Sequence, residues 1–296
     1  MPDGILIIDK PSDWTSMDVC AKLRGIFHEK RIGHGGTLDP MATGVLPVFI
    51  GRATRAVEFA EKGDKEYVAS LRLGRVTDTQ DSTGTVLEEH SVPAASAAAV
   101  ASLLPRFTGE IEQIPPMYSA IKINGQKLYQ LARRGREVER PARRITIREV
   151  ELLEPASNGD LRLRIRCSKG TYVRTLCHDI GQALGCGAIM TGLRRTMACG
   201  FTLEQAVTLE RLFSCAAPGA LLLPTEALFS DYPKTVLPPE AEKKVRNGAA
   251  ASCRGLPPGD YRTYSQDGIF LALCRSDGAV LTTIKSFFQV EMQQSR

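Results

Sequence analysis

The hydrophobic positions fall into runs with different periods. Gly4–Ile8 is a short continuous apolar stretch closed by Asp9 and Lys10, the pattern of a buried strand. Val19, Cys20, Leu23, Ile26 and Phe27 then recur at helical spacing, and Ser16 stands where an N-cap belongs, which predicts a helix starting there. Tyr67, Ala69, Leu71 and Leu73 alternate with Val68, Ser70 and Arg72, the period of a half-buried strand. Leu161–Cys167 alternates in the same way, with Arg162, Arg164 and Arg166 on the opposite face. Val173, Leu176, Cys177, Ile180, Ala183 and Leu184 return to the helical period and stop at Gly185. The Ala-rich stretch from Pro93 to Leu104 predicts a short surface helix. Strands and helices interleave without regular βαβ alternation, so the pattern predicts an α+β fold.

The C-terminal part changes character. Beyond a Pro-rich stretch ending at Pro239, Asp-Gly pairs at 267–268 and 277–278 separate three apolar runs, a strong hairpin signal. This predicts a larger domain over 1–230 and a small β-rich module over 231–296. With 296 residues, 43% of them hydrophobic, the chain can bury two cores without cross-links. Its eight cysteines form no C-x-x-C pair, which argues against the usual zinc spacings and for reduced thiols. The first apolar run is too short for a secretory signal, and no run approaches the roughly 20 residues of a membrane span. A cytoplasmic protein without membrane contact is the expectation.

Three segments carry candidate chemistry. Gly33-His34-Gly35-Gly36-Thr37-Leu38-Asp39-Pro40 removes side chains where a ligand could approach, and Pro40 holds Asp39 out of the helical region. Taken alone, a tight turn would be the simpler account. The spacing is neither a Rossmann fingerprint nor a P-loop, which argues against a nucleotide cofactor. In the second segment Arg174 falls in the first turn of a helix, flanked by core positions, where a cation opposes the helix dipole; an anion is therefore expected beside it. The third is basic: nine Lys or Arg residues against two Glu within 122–148, with Tyr118 and Tyr129 close by. The formal net charge of the whole chain is only +5, so this clustering points to a surface that contacts phosphates. Cys177-His178-Asp179 imitates a triad, but helix neighbours one residue apart point in different directions. Asp78–Gly84 lacks the order of a calcium loop and reads as a loop held by Asx turns. No metal site is expected.

Read together, Gly33-His-Gly-Gly-Thr-Leu-Asp39-Pro-Met-Ala-Thr-Gly-Val-Leu-Pro47, Lys65-Glu-Tyr67, Pro115-Pro-Met-Tyr-Ser-Ala-Ile-Lys122, Lys169-Gly-Thr-Tyr-Val-Arg174 and Leu193-Arg-Arg195 closely resemble the TruB family of tRNA pseudouridine synthases. Asp9-Lys10-Pro11 and the run Asn124–Ala132 fit the same pattern, and the likeness covers most of residues 4–230. The resemblance implies a mixed, largely antiparallel core sheet with flanking helices, followed by a PUA-like RNA-binding domain. It implies isomerisation of uridine to pseudouridine at position 55 of the tRNA T loop, by a monomer, with no cofactor, metal or protein partner.

By the same resemblance, Asp39 is the catalytic aspartate, Tyr67 the tyrosine that stacks on the target base and takes part in proton removal from C5, and Arg174 the partner of the carboxylate. Leu193 packs near the base, and His34 and Lys10 lie near the RNA or the catalytic loop. Tyr172, Lys122, Arg133 and Arg144 complete the expected substrate-binding set. The chemistry is consistent with these roles: a base must leave its stack to be rebuilt, and RNA loops are read by shape and stacking. Whether Asp39 attacks C1′ or removes a ribose proton stays open at this level. Two other readings are a non-catalytic RNA-binding or RNA-folding module and a glycosidase, which would require a second carboxylate near Asp39.

Overall fold

The computed structural model describes residues 2–94, 96–123 and 125–288. The chain opens with β1 (Gly4–Lys10), α1 (Ser16–Phe27), β2 (Ile32–His34) and β3 (Thr43–Ile50), then α2 (Val57–Lys62) and β4 (Lys65–Leu73). A hairpin of β5 (Arg75–Thr77) and β6 (Val86–Glu89) leads to α3 (Ser96–Leu103) and β7 (Gly109–Gln113). A small excursion carries β8 (Lys122–Ile123), β9 (Gln126–Lys127) and α4 (Leu128–Ala132). The chain returns through β10 (Arg143–Leu153), β11 (Leu161–Cys167), α5 (Val173–Leu184) and β12 (Ala188–Ala198), followed by β13 (Phe201–Thr202), β14 (Val207–Thr208) and α6 (Leu209–Phe213). The last part holds β15 (Lys234–Val236), α7 (Pro239–Arg246), β16 (Ala251–Ser252), β17 (Gly259–Tyr264), β18 (Phe270–Ser276) and β19 (Val280–Ser286).

The main sheet runs β14-β1-β3-β12-β4-β11-β10-β7, with β2 on β3 and β13 on β12. Only β14/β1 and β3/β12 are parallel, so the sheet is largely antiparallel, as the family resemblance implied. Tyr67, Ala69 and Leu71 face a core formed with α1 (Val19, Cys20, Leu23) and α5 (Val173, Leu176, Ile180). The five strands β15-β17-β18-β19-β16 form a separate sheet. Gly268 and Gly278, at φ +79° and +101°, make the turns that the Asp-Gly pairs signalled. Phe229, Tyr264, Phe270 and Phe287 from this region share one apolar cluster with Ile5, Val45 and Phe49 of the main sheet.

All three predicted helices form, α3 within the Ala-rich stretch, and α5 stops at Gly185 in a left-handed conformation (φ +76°). The start of α1 differs from the sequence reading. Its N-cap is Thr15, whose hydroxyl accepts from the Asp18 amide at 3.0 Å while the Asp18 carboxylate accepts from the Thr15 amide at 2.9 Å. The Ser16 hydroxyl is turned inward instead, where it meets the Asp39 loop. Thr15→Ala therefore removes a capping box on an exposed helix end and lowers stability by about 1 kcal/mol in urea denaturation, leaving the Ser16 contact in place.

Candidate active site

The loop between β2 and β3 is built to hold one carboxylate in a fixed place. Gly35 donates its amide to Pro47 O at 2.9 Å, and a Cβ there would lie 2.7 Å from the Ala60 Cβ. Gly36 follows at φ +109°, a conformation side chains rarely adopt. Leu38 is buried and clasped by Ser16: its amide donates to the hydroxyl at 2.9 Å, and the hydroxyl donates to its carbonyl at 3.2 Å. The Ala42 amide donates to Asp39 O at 3.0 Å, closing the turn over Pro40. Beneath it the Lys10 ammonium donates to the carbonyls of Pro11, Trp14 and Pro40 at 2.8, 2.7 and 3.1 Å. The backbone is thus pinned on both sides, while the Asp39 side chain stays 40% exposed.

Arg174 supplies the cation. The N-terminus of α5 is fixed by the Gln113 amide, which donates to Tyr172 O at 3.1 Å and accepts from the Tyr172 amide at 2.8 Å. Two residues on, the Arg174 side chain is only 7% exposed, and its Nε lies 3.0 Å from Asp39 Oδ2. Nη1 lies 3.4 Å from Asp81 Oδ2 and donates to Thr79 O at 3.1 Å; Nη2 donates to Tyr118 O at 2.9 Å. The expectation of an anion beside this arginine is met twice. Asp81 is the functional residue that sequence reasoning missed. The 78–84 loop does carry the expected Asx turns, with Thr85 N on Asp78 at 2.8 Å and Thr83 N on Asp81 at 2.9 Å. Nothing local marked Asp81 as the one carboxylate turned inward.

Tyr67 sits on β4 opposite Arg195 of β12, with Ala69 opposite Leu193, so Tyr67, Leu193 and Arg195 project from the same face. Burial pushes the Tyr67 phenol up, while the neighbouring Arg195 guanidinium pulls it back down. The Tyr172 phenol is likewise raised by burial, against the pull of Ser119, Arg143 and Arg174. His34 ends β2 half-buried; burial and the Arg195 charge lower its imidazole, and its Nδ1 has no hydrogen-bond partner. Lys10, expected near the RNA or the catalytic loop, takes the second of these places. It is fully buried with its ammonium capped by three carbonyls, so it supports the Asp39 loop from below. Burial lowers its ammonium to about 8, against the opposing charges of Asp13 and Asp39.

The basic segment lies largely on the surface. Lys122, Arg133 and Arg144 are all exposed, on β8, just past α4 and on β10 respectively. Arg133 lies over the Tyr129 ring at 5.4 Å and Lys127 at 5.6 Å. The excursion has its own small core of Met117, Leu128 and Leu131. Asn124, part of the motif quoted above, lies outside the described residues.

Cys177, His178 and Asp179 form no relay. Burial pushes the Cys177 thiol up to about 12, far from a reactive thiolate. Asp179 is raised to about 6 by burial alone, above the ordinary carboxylate value of 3.8. A carboxyl whose folded value is raised contributes stability that is complete below the unfolded value and is lost as pH rises through the folded one. Asp179→Asn should therefore be more stable than wild type above pH 6, by about 1–2 kcal/mol, and the two should converge below pH 4. Urea melts at several pH values give the comparison.

Comparison with known proteins places this geometry. The model of the TruB family pseudouridylate synthase (N terminal domain) matches residues 24–173, and that of the tRNA pseudouridylate synthase B C-terminal domain matches 174–230. A tRNA pseudouridine synthase B from Heliobacterium mobile is 51% identical over 228 residues, 76% of this chain and 74% of its own. Another, from Francisella tularensis, is 41% identical across 97% of this chain and 95% of its own. Among solved structures, a Cbf5-Nop10-Gar1 complex matches 96% of this chain and 85% of that chain, with a TM-score of 0.73 at 29% identity. An H/ACA RNP bound to a substrate RNA containing 2'-deoxyuridine matches 97% and 85%, with a TM-score of 0.70 at 26% identity. Asp39 and Tyr67 lie inside the first family match and Arg174 opens the second, so the residues gathered here are held by a chain that belongs to the TruB family of pseudouridylate synthases.

Proposed function

We propose that this protein isomerises uridine to pseudouridine in tRNA, at position 55 of the T loop, and that Asp39 is the group on which the reaction turns. The observation that carries this reading is the carboxylate itself: fixed by its backbone, still open to solvent, and 3.0 Å from a buried guanidinium. Such a carboxylate, paired with a cation and set on a pinned backbone, is positioned for a nucleotide swung out of its loop. The isomerisation breaks the N1–C1′ bond, turns the uracil within the pocket, joins C5 to C1′, and moves the C5 proton to solvent and a proton to N1. It is redox-neutral and consumes no second substrate.

The roles follow from position. Asp39 acts at the ribose, either on C1′ or on a ribose proton as the base leaves. Tyr67 offers a ring on which the uracil can stack and a phenol to relay the C5 proton; burial keeps that phenol protonated at neutral pH. Arg174 pairs with Asp39 and fixes where its carboxylate stands, and Leu193 and Tyr172 line the pocket for the base. His34 borders the entry, and exposed Lys122, Arg133 and Arg144 hold phosphates of the T arm, with residues 231–296 acting as a PUA-like RNA-binding domain. The protein works as a monomer in the cytoplasm; among the described residues no helix is long and apolar enough to cross a membrane.

Release of tritium from tRNA labelled at uracil C5 tests the reading, because only the isomerisation detaches that hydrogen. Asp39→Asn should abolish release while tRNA still binds; turnover comparable to wild type in that variant would refute the role given to Asp39. Arg174→Lys keeps the charge but cannot hold two carboxylates and two carbonyls at once, and should lower turnover by about 100-fold or more. Arg133→Gln and Arg144→Gln should each weaken binding and flatten the slope of log K against log salt by about 0.7–0.9, leaving single-turnover chemistry intact.

A further inference from the structure

Arg195 is the largest fully buried side chain of the protein, at 1% exposure, and the roles assigned above leave it unused. Buried charges are ordinarily paired with opposite charges. Among the described residues no carboxylate lies within ion-pair distance of Arg195. Its guanidinium meets backbone carbonyls instead: Nε donates to Val45 O at 2.7 Å, Nη2 to Gly36 O at 3.2 Å and, at a looser 3.5 Å, Nη1 faces Thr37 O. These three carbonyls flank Asp39 on both sides, two before it and one after. The same guanidinium lies against the Tyr67 hydroxyl across the β4–β12 pair.

The loop runs close against this residue. Gly36 and Gly44 take φ of +109° and +100°. A Cβ at Gly44 would collide with the Arg195 carbonyl, and one at Gly36 would lie 3.6 Å from Nη1. A flat fork with fixed donors spans three acceptors at set angles, which a single ammonium cannot do. Lys10 and Lys65 are also buried and also donate to carbonyls, but Lys10 reaches the loop on one side of Asp39 only, at Pro40, besides Pro11 and Trp14, and Lys65 holds Glu61 and Gly63 outside it. Only Arg195 reaches the loop on both sides of Asp39 and touches Tyr67 as well.

We propose that Arg195 is a positioning residue for the isomerisation: its buried guanidinium fixes the 36–45 backbone so that Asp39 stands at a set distance from the Tyr67 ring. This inference rests on the function proposed above. It differs from a general stabilising role in what its loss should change. A guanidinium that only held the fold together would, when altered in a protein that still folds, leave the chemical step alone. One that sets the carboxylate against the ring controls the chemical step and leaves tRNA affinity alone.

The test uses Arg195→Lys and Arg195→Gln in the full-length protein, with folding checked by near-UV circular dichroism. Single-turnover rates are measured on uracil-C5-tritiated tRNA and on tRNA carrying 5-fluorouridine at the target, and tRNA Kd is measured separately. With fluorine at C5 there is no proton to lose, so the second substrate reads the glycosidic-bond steps carried by Asp39 apart from the proton loss assigned to Tyr67. The expected result is a fall of about 100-fold on both substrates, with Kd essentially unchanged and Arg195→Lys the less impaired of the two. Several results would overturn the proposal: a folded Arg195→Lys at the wild-type rate, a loss confined to Kd, full activity on the fluorinated tRNA, or failure of both variants to fold, which would mark Arg195 as structural. Wild-type protein run alongside keeps the two readings apart. Absence of turnover by wild type sinks the function on which this rests; turnover by wild type matched by Arg195→Lys sinks this inference alone.

Discussion

The candidate active site hangs on one buried cation with acceptors drawn from three separate parts of the chain. Arg174 leaves the first turn of α5 and meets Asp39 of the β2–β3 loop, Asp81 and Thr79 O of the β5–β6 hairpin, and Tyr118 O of the excursion before β8. Two carboxylates and two carbonyls around one guanidinium satisfy its charge and most of its donors, which makes burial tolerable. The same arrangement makes it intolerant: losing either carboxylate leaves a desolvated charge partly unmatched. The position of Asp39 is therefore tied to the docking of a hairpin and a helix that have no chemistry of their own.

The platform under that interaction is the sheet. β4 and β12 run antiparallel through its centre, so Tyr67, Leu193 and Arg195 arrive side by side without depending on any loop. The one element that must be irregular is the segment from Gly35 to Gly44, and the protein removes its freedom with hydrogen bonds rather than with regular structure. Ser16 clasps Leu38, Lys10 holds Pro40 O, and Arg195 holds Gly36 O and Val45 O. Three buried cations, Lys10, Arg174 and Arg195, surround this loop and create a positive environment for its one carboxylate, Asp39, which stays partly open to solvent. A negatively charged backbone approaching this site is met by that potential as well as by the exposed arginines of the 122–148 segment.

Some disagreements between pattern and structure have a common origin. The helix α1 starts one residue earlier than Ser16 suggested, because both Thr15 and Ser16 can cap and only the packing of Leu38 decides which hydroxyl faces inward. Asp81 looked like one polar residue among several in a turn, and in its local contacts it is one; its second role exists only because α5 places Arg174 over it. The resemblance puts Lys10 near the RNA or the catalytic loop, and only the fold, which brings the carbonyls of Pro11, Trp14 and Pro40 around it, decides for the loop. Each involves a side chain whose partner lies far along the chain, or whose alternatives are equal in local terms.

What the sequence by itself determined was everything set by short-range periodicity and turn chemistry. That includes the alternating strands β4 and β11, the amphipathic α5 closed by Gly185, the hairpins at the two Asp-Gly pairs, the restraint of Asp39 by Pro40, and the need for an anion near Arg174. Those features depend on neighbours within a few residues, where spacing alone selects the conformation. What only the tertiary structure decided was which charges meet: Arg174 with Asp81 as well as Asp39, and Arg195 with three carbonyls instead of a carboxylate. A buried charge is satisfied by whichever acceptors the fold brings within hydrogen-bond reach, and backbone carbonyls are present at every residue, so no pattern of residue types can mark them in advance.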